Sequence, residues 1–159
     1  MFPRVGPVIP VMQTRLTKAG AANCLQACLA SILELPLDAV PDFVNGYDGD
    51  GHEWLDRCYA WLRERGWECQ AFKPTLQDAA AVPDDMHFPW DRVTWWPEGY
   101  SIAQGVSRPG MPCAISAAER TVEHVCVALD GKVVHDPFPG GTGLAEVCCY
   151  WRFARLGVR

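Results

Sequence analysis

Ala19-Gly20-Ala21-Ala22-Asn23-Cys24-Leu25-Gln26-Ala27-Cys28-Leu29-Ala30-Ser31-Ile32-Leu33-Glu34 is the stretch on which the reading of this chain turns. Small residues give way at Asn23 to a run in which Leu25, Cys28, Leu29, Ile32 and Leu33 recur at the three-and-four spacing of an amphipathic helix. Pro36 cannot continue it, so a helix is predicted over Cys24 to Leu35. Asn23 is a favoured N-cap, and Gln26 stands where a capping box has Glu or Gln. Cys24 therefore belongs to the first helical turn. There a thiol faces unpaired backbone N–H groups and the positive end of the helix dipole, both of which favour a thiolate. The helix end is worth at most about 2 kcal/mol. Activating a thiol at neutral pH takes more, and the remainder must come from an imidazolium beside the sulfur.

The chain has four histidines. His52 opens a second predicted helix, and His87 lies in an irregular stretch. His124 and His135 lie in Glu123-His124-Val125-Cys126-Val127-Ala128-Leu129-Asp130-Gly131-Lys132-Val133-Val134-His135-Asp136-Pro137, two strand patterns joined by Asp130-Gly131, a strong hairpin signal. In such a hairpin the start of the first strand lies beside the end of the second. His124 and Asp136 become neighbours, with Asp136 placed to orient the base, whereas His135 points to the other face. Cys24 as nucleophile, His124 as base and Asp136 as orienting carboxylate form the candidate set.

The rest of the chain supplies the frame. Leu37 to Phe43 reads as one short helical turn, and Val8 to Gln13 as an edge strand interrupted by prolines. Asp48 to Gly51 is a loop without the ligands of a calcium-binding hand. A second helix is predicted over His52 to Arg65, with Trp54, Leu55, Cys58, Trp61 and Leu62 on one face and Gly66 ending it. Trp67 to Phe72 alternates as a strand. Further strands are expected at Tyr100–Gly105, Met111–Ser116, Glu123–Leu129, Lys132–Asp136 and Val147–Ala154. Ser107 to Gly110 and Pro139 to Gly143 read as turns, the latter a mobile one beside the site. The long segment from Pro74 to Gly99 carries Phe88, Trp90, Trp95 and Trp96; it either walls a substrate cleft or caps the core. Helices first and an antiparallel sheet afterwards predict one α+β domain over residues 1–159, with the Cys24 helix packed on the sheet.

Composition narrows the function classes. At 159 residues, 49% hydrophobic and 21% charged, the chain can bury a sizeable core. A net charge of -5 and scattered Lys and Arg argue against nucleic acid as partner. No apolar run approaches the ~20 residues of a membrane helix. The N-terminus is broken by prolines and lacks a small-residue cleavage site, so no signal peptide is expected and the location predicted is cytoplasmic. In that compartment the eight cysteines read as reduced thiols. No pair shows the Cys-x-x-Cys spacing of metal sites, so neither metal nor cofactor is expected. Cys28, Cys58, Cys113 and Cys126 read as small core residues. The adjacent Cys148 and Cys149 would point to opposite faces of a strand.

Asn23-Cys24-Leu25-Gln26-Ala27-Cys28-Leu29-Ala30-Ser31 with the distant His124-Val125-Cys126-Val127 and His135-Asp136-Pro137 resembles the papain-like cysteine peptidase superfamily. The resemblance is nearest the bacteriocin-leader (double-glycine) peptidases and butirosin-type acyltransferases, and nearer still to small phage-encoded papain-like proteins. It covers both ends of the chain and leaves about residues 45–100 unmatched. It implies Cys24 as nucleophile, His124 as general base and acid, Asp136 as orienting residue and Gln13 as the amide completing the oxyanion hole. Gln13 lies farther from the cysteine than the peptidase pattern has it, and Leu25 stands where the leader peptidases have Gly. The function expected is a thiol-dependent hydrolase of a peptide, protein or small amide, or an acyltransferase on a thioester or amide. An inactive papain-like protein that sequesters a host factor is the alternative from another class, and a zinc-stabilised interaction module a third.

Overall fold

The computed structural model describes residues 8–16, 22–45, 53–72, 99–107 and 123–157. Two α-helices, α1 (Cys24–Leu33) and α2 (Glu53–Glu64), precede five strands: β1 (Trp67–Phe72), β2 (Tyr100–Ser107), β3 (Glu123–Leu129), β4 (Lys132–His135) and β5 (Leu144–Arg155). All strand pairs are antiparallel, and the sheet order is β1-β5-β2-β3-β4. This is the expected α+β class. His52, His87, Cys113, the Met111–Ser116 strand, the Asp48–Gly51 loop and the Trp-rich segment lie outside the described residues.

Strand alternation sorts the sheet's two faces. Val125 and Val127 of β3, Ile102 of β2 and Trp151 and Phe153 of β5 bury against Leu25, Cys28, Leu29 and Ile32 of α1 and Leu55, Cys58 and Leu62 of α2. Cys126, Ala128, Ala103 and Tyr150 form a second cluster with Leu144, on the opposite parity of the same strands. α1 packs on β3 and α2 on β1. Trp151 anchors the main core, stacked on Trp54 at 6.1 Å and edge-on to Tyr59 at 6.3 Å between ring centroids. Its indole N–H donates to Gln104 Oε1 at 2.7 Å, which satisfies the polar end of a side chain only 1% exposed.

Several expected boundaries shift for local reasons. α1 stops at Leu33, because Glu34 adopts a left-handed conformation (φ 57°) and closes the helix with its N–H on the Ala30 carbonyl. Leu37–Ala39 is a single 3-10 turn. Residues 8–13 form no strand; Pro10 cannot donate to a ladder, and the segment is tied down by individual bonds instead. β2 and β5 run longer than expected because they pair along nearly their whole length, through two register irregularities. The Asp130-Gly131 hairpin is present with positive φ at both residues, 49° and 79°, as a type I′ turn requires.

Candidate active site

Three elements bring the candidate residues together. Cys24 opens α1, His124 is the second residue of β3, and Asp136 follows β4 directly. The His124 ring is 1% exposed, and its Nε2 lies 2.7 Å from Asp136 Oδ1. A carboxylate can only accept, so Nε2–H donates and Nδ1 is the nitrogen left for a thiol. Cys126 Sγ lies within 4.8 Å of a ring nitrogen, and Cys126 and Cys24 both favour the ring's charged form. The cross-strand partner of His124 on β2 is Gly105, which sets no side chain beside the imidazole.

Asp136 is held from three sides. Besides His124, its Oδ1 accepts the Phe138 N–H at 2.9 Å, and its Oδ2 accepts the Gly143 N–H at 2.8 Å. Gly141 backs the same carboxylate: a Cβ added there would sit 2.4 Å from Oδ2. The Pro139–Gly143 stretch, expected as a mobile turn, is thus the clamp that aims Asp136, an arrangement that residue spacing alone does not reveal.

The electrostatics follow from this geometry. Burial by itself would lower the His124 pKa, but the hydrogen bonds to Asp136, Cys126 and Cys24 outweigh it and raise it far above the ordinary 6.5. Burial likewise opposes ionisation of Asp136, and the His124 ring and the two backbone amides reverse that, holding the carboxyl below its ordinary 3.8. The pair is therefore imidazolium and carboxylate. Cys126 is pushed up by burial, with His124 pulling the other way, and Cys28 is raised by burial with its thiol against the Val125 carbonyl at 3.4 Å.

The expected capping box is not formed. Asn23 makes no side-chain cap, and its Oδ1 accepts instead the N–H groups of Thr14 at 3.0 Å and Arg15 at 2.9 Å. Gln26 accepts from Asn23 Nδ2 and donates to the Leu37 and Val40 carbonyls at 3.0 and 2.7 Å. A tertiary demand overrides the local one: buried Asn23 pins the incoming chain to the helix. With no side-chain cap and no acidic residue in the first turn, the N–H groups around Cys24 stay available to an anion.

Gln13 does return to the site's border, as the long loop required. Its N–H donates to the Pro137 carbonyl at 2.9 Å, next to Asp136, and its side chain is 2% exposed. The amide is turned aside: Nε2 donates to the Arg15 carbonyl at 2.9 Å, and Oε1 is buried with no partner among the described residues. His135 faces away from Asp136 as expected, its Nε2–H donating to the Val11 carbonyl at 2.9 Å. An open cleft of about 450 Å³, lined by Thr14, Arg15, Asn23, Gln26, Leu37 and Asp38 among others, lies beside the first turn of α1.

Cys126 is the core residue expected of it, and it has a second set of neighbours besides. It is buried like a core cysteine, yet its sulfur and the donor atoms of His124 and Asp136 all lie within 4.8 Å of one another. The signal was present as His124-x-Cys126 on a strand, which sets both side chains on one face. The site is thus a buried imidazolium–carboxylate pair facing a helix-terminal cysteine, on an α+β frame. The chain matches no family model, no curated protein and no solved structure. Among the described residues, no helix is long and apolar enough to cross a membrane.

Proposed function

We propose that the protein is a thiol-dependent hydrolase of the papain-like type, acting on an amide or thioester bond through Cys24, His124 and Asp136. The observation that carries this reading is the buried 2.7 Å His124–Asp136 pair, whose charged ring Cys24 at the start of α1 favours. A merely structural histidine needs one satisfied hydrogen bond. This one is held as a cation by a three-point carboxylate clamp and turned toward the thiol at a helix N-terminus.

In this mechanism Cys24 Sγ, its proton passed to Nδ1, attacks the substrate carbonyl. The developing oxyanion takes the Cys24 backbone N–H. His124 returns the proton to the leaving amine or thiol, which leaves an acyl group on Cys24. It then deprotonates the water that releases the acid, and Asp136 keeps the ring aimed throughout. An acceptor amine or alcohol in place of that water makes the same acyl-enzyme a transferase. Gln13 joins the oxyanion hole if its second amide hydrogen turns inward.

The test is the iodoacetamide alkylation rate of Cys24 against pH, read by peptide mass spectrometry, in the native chain and in His124→Ala. Fast labelling at pH 6 that falls at least ten-fold in the variant is expected. A native Cys24 that labels no faster than a free cysteine at that pH sinks the enzyme reading and leaves a binding protein on the same frame.

A further inference from the structure

Three kinds of donor atom meet at a point where the proposed mechanism uses only two of them. A ring nitrogen of His124, a carboxylate oxygen of Asp136 and the Cys126 sulfur all lie within 4.8 Å of one another. Cys126 is 0% exposed, and the side chains of His124 and Asp136 are 1% and 6% exposed. Packing alone does not call for a thiol there. Ala103, the cross-strand partner of Cys126 on β2, and Ala128, two residues on along β3, fill their places in the same cluster with a methyl group. We propose that His124, Cys126 and Asp136 form a binding site for a zinc-class divalent ion.

The donor set selects the ion. Thiolate, imidazole and carboxylate are all zinc ligands, and the sulfur and nitrogen donors disfavour Mg²⁺ and Ca²⁺. With a single cysteine, the set has no use for Cys-x-x-Cys spacing. His124-x-Cys126 on β3 puts two of its side chains on one face, and Asp136 arrives from the end of β4. Zinc–ligand bonds of about 2.0–2.3 Å place donors roughly 3.3–3.8 Å apart in a tetrahedron. To reach that spacing the 2.7 Å between His124 Nε2 and Asp136 Oδ1 opens by roughly half an ångström, and Cys126 closes by up to about 1 Å. The carboxylate is already oriented for the task. The Phe138 N–H on Oδ1 and the Gly143 N–H on Oδ2 stay in place and hold it as a ligand. The exchange is also neutral in charge, which matters in a buried place. The ion replaces the Nε2 proton of the imidazolium and the thiol proton of Cys126, and both protons leave to solvent. Water takes the fourth position. The remaining ring proton stays on Nδ1, so a metal-bound His124 has no basic nitrogen to offer a thiol.

The site needs the His124–Asp136 pair but not the Cys24 chemistry, and the experiment separates the two. The full chain, stripped with a chelator, is titrated with Co²⁺ and, separately, with Zn²⁺ in competition with a chromophoric chelator. Cobalt reports a thiolate ligand through sulfur-to-metal charge-transfer absorption in the near ultraviolet. That band is expected at one equivalent in the native chain and in Cys24→Ala, and is expected to be lost in Cys126→Ala. Zinc affinity is expected to fall at least ten-fold in Cys126→Ala. Cys126→Ser serves as the second variant if the alanine form does not fold. The site is overturned if the native chain shows no band, if Cys24→Ala removes it, or if band or zinc affinity persists in a folded Cys126 variant. Alkylation of Cys24 is read on the same metal-free samples. A slow rate there with the cobalt band present sinks the proposed mechanism and leaves the ion site standing; a fast rate with no band does the reverse.

Discussion

His124 and Asp136 carry opposite charges in a place where neither would ionise alone, and that makes each a pH-dependent contributor to stability. His124 has its folded-state pKa raised above 6.5, so its contribution is complete below about pH 6.5 and is lost as pH rises through the folded-state value. Asp136 is lowered below 3.8; its contribution is present above that value and is lost as pH falls through the folded-state one. Stability should therefore be flat between about pH 4 and 6.5. Above that it should fall by up to about 1.4 kcal/mol per pH unit for one proton. Urea midpoints from pH 5 to 9 check this, and His124→Gln should abolish the slope. Gly141 gives a second prediction, because a methyl group there meets the Asp136 carboxylate at 2.4 Å. Gly141→Ala should cost about 1–3 kcal/mol and slow Cys24 alkylation, since the displaced carboxylate no longer aims the ring. Near-ultraviolet circular dichroism unchanged beside a normal alkylation rate would show that the clamp is not needed. At this scale the His124–Asp136 pair was legible from residue type and chain order. The clamp and the turned amide of Gln13 were not, since each depends on where a loop ends.

α1 shows how an element can obey local rules along its length and break them at its ends. Its apolar spacing and the stop before Pro36 are local, and they placed the helix to within two residues of its C-terminus. Its N-terminus serves the site instead: the residue that ought to cap it holds Thr14 and Arg15 in place. Asn23→Ala should therefore loosen residues 13–15 as well as the helix start, by about 1–3 kcal/mol for a buried network losing its hub. Hydrogen exchange is expected to rise at Thr14 and Arg15 together, and exchange unchanged there would argue against the hub. At the other end Glu34 occupies a left-handed position without glycine's freedom. Glu34→Gly should stabilise the chain by up to about 1 kcal/mol in a thermal melt, because the steric cost of a Cβ there is relieved. The β3–β4 hairpin was readable because Asp130-Gly131 specifies its turn chemically, although β4 ends at His135 rather than Asp136 and the ladder shifts register at Val127/Ala128; the turn carries Asp136 back to His124.

On the scale of the molecule the core is a single layer of helices on a sheet, centred on Trp151. That side chain meets Trp54 and Tyr59 of α2 and bonds Gln104 of β2, so it joins three elements at once. Trp151→Ala should cost about 3–5 kcal/mol and leave Gln104 Oε1 without its indole donor, with the Cys149 thiol still on it. Chemical denaturation monitored at the helices is expected to shift as far as that monitored at the site, because α1 and α2 share this core. The amino-acid sequence by itself determined the helices, the antiparallel strands, the tight hairpin and the three residues of the candidate triad. Those follow from periodicity, turn chemistry and the order of chemically distinctive residues, all of which are local in the chain. Only the tertiary structure decided strand order, the cap that Asn23 does not make, the carboxylate clamp and the meeting of Cys126 with His124. Strand order joins segments far apart in the chain, and the choice between a local and a more distant hydrogen-bond partner, as at Asn23 and Asp136, is made only when the core closes.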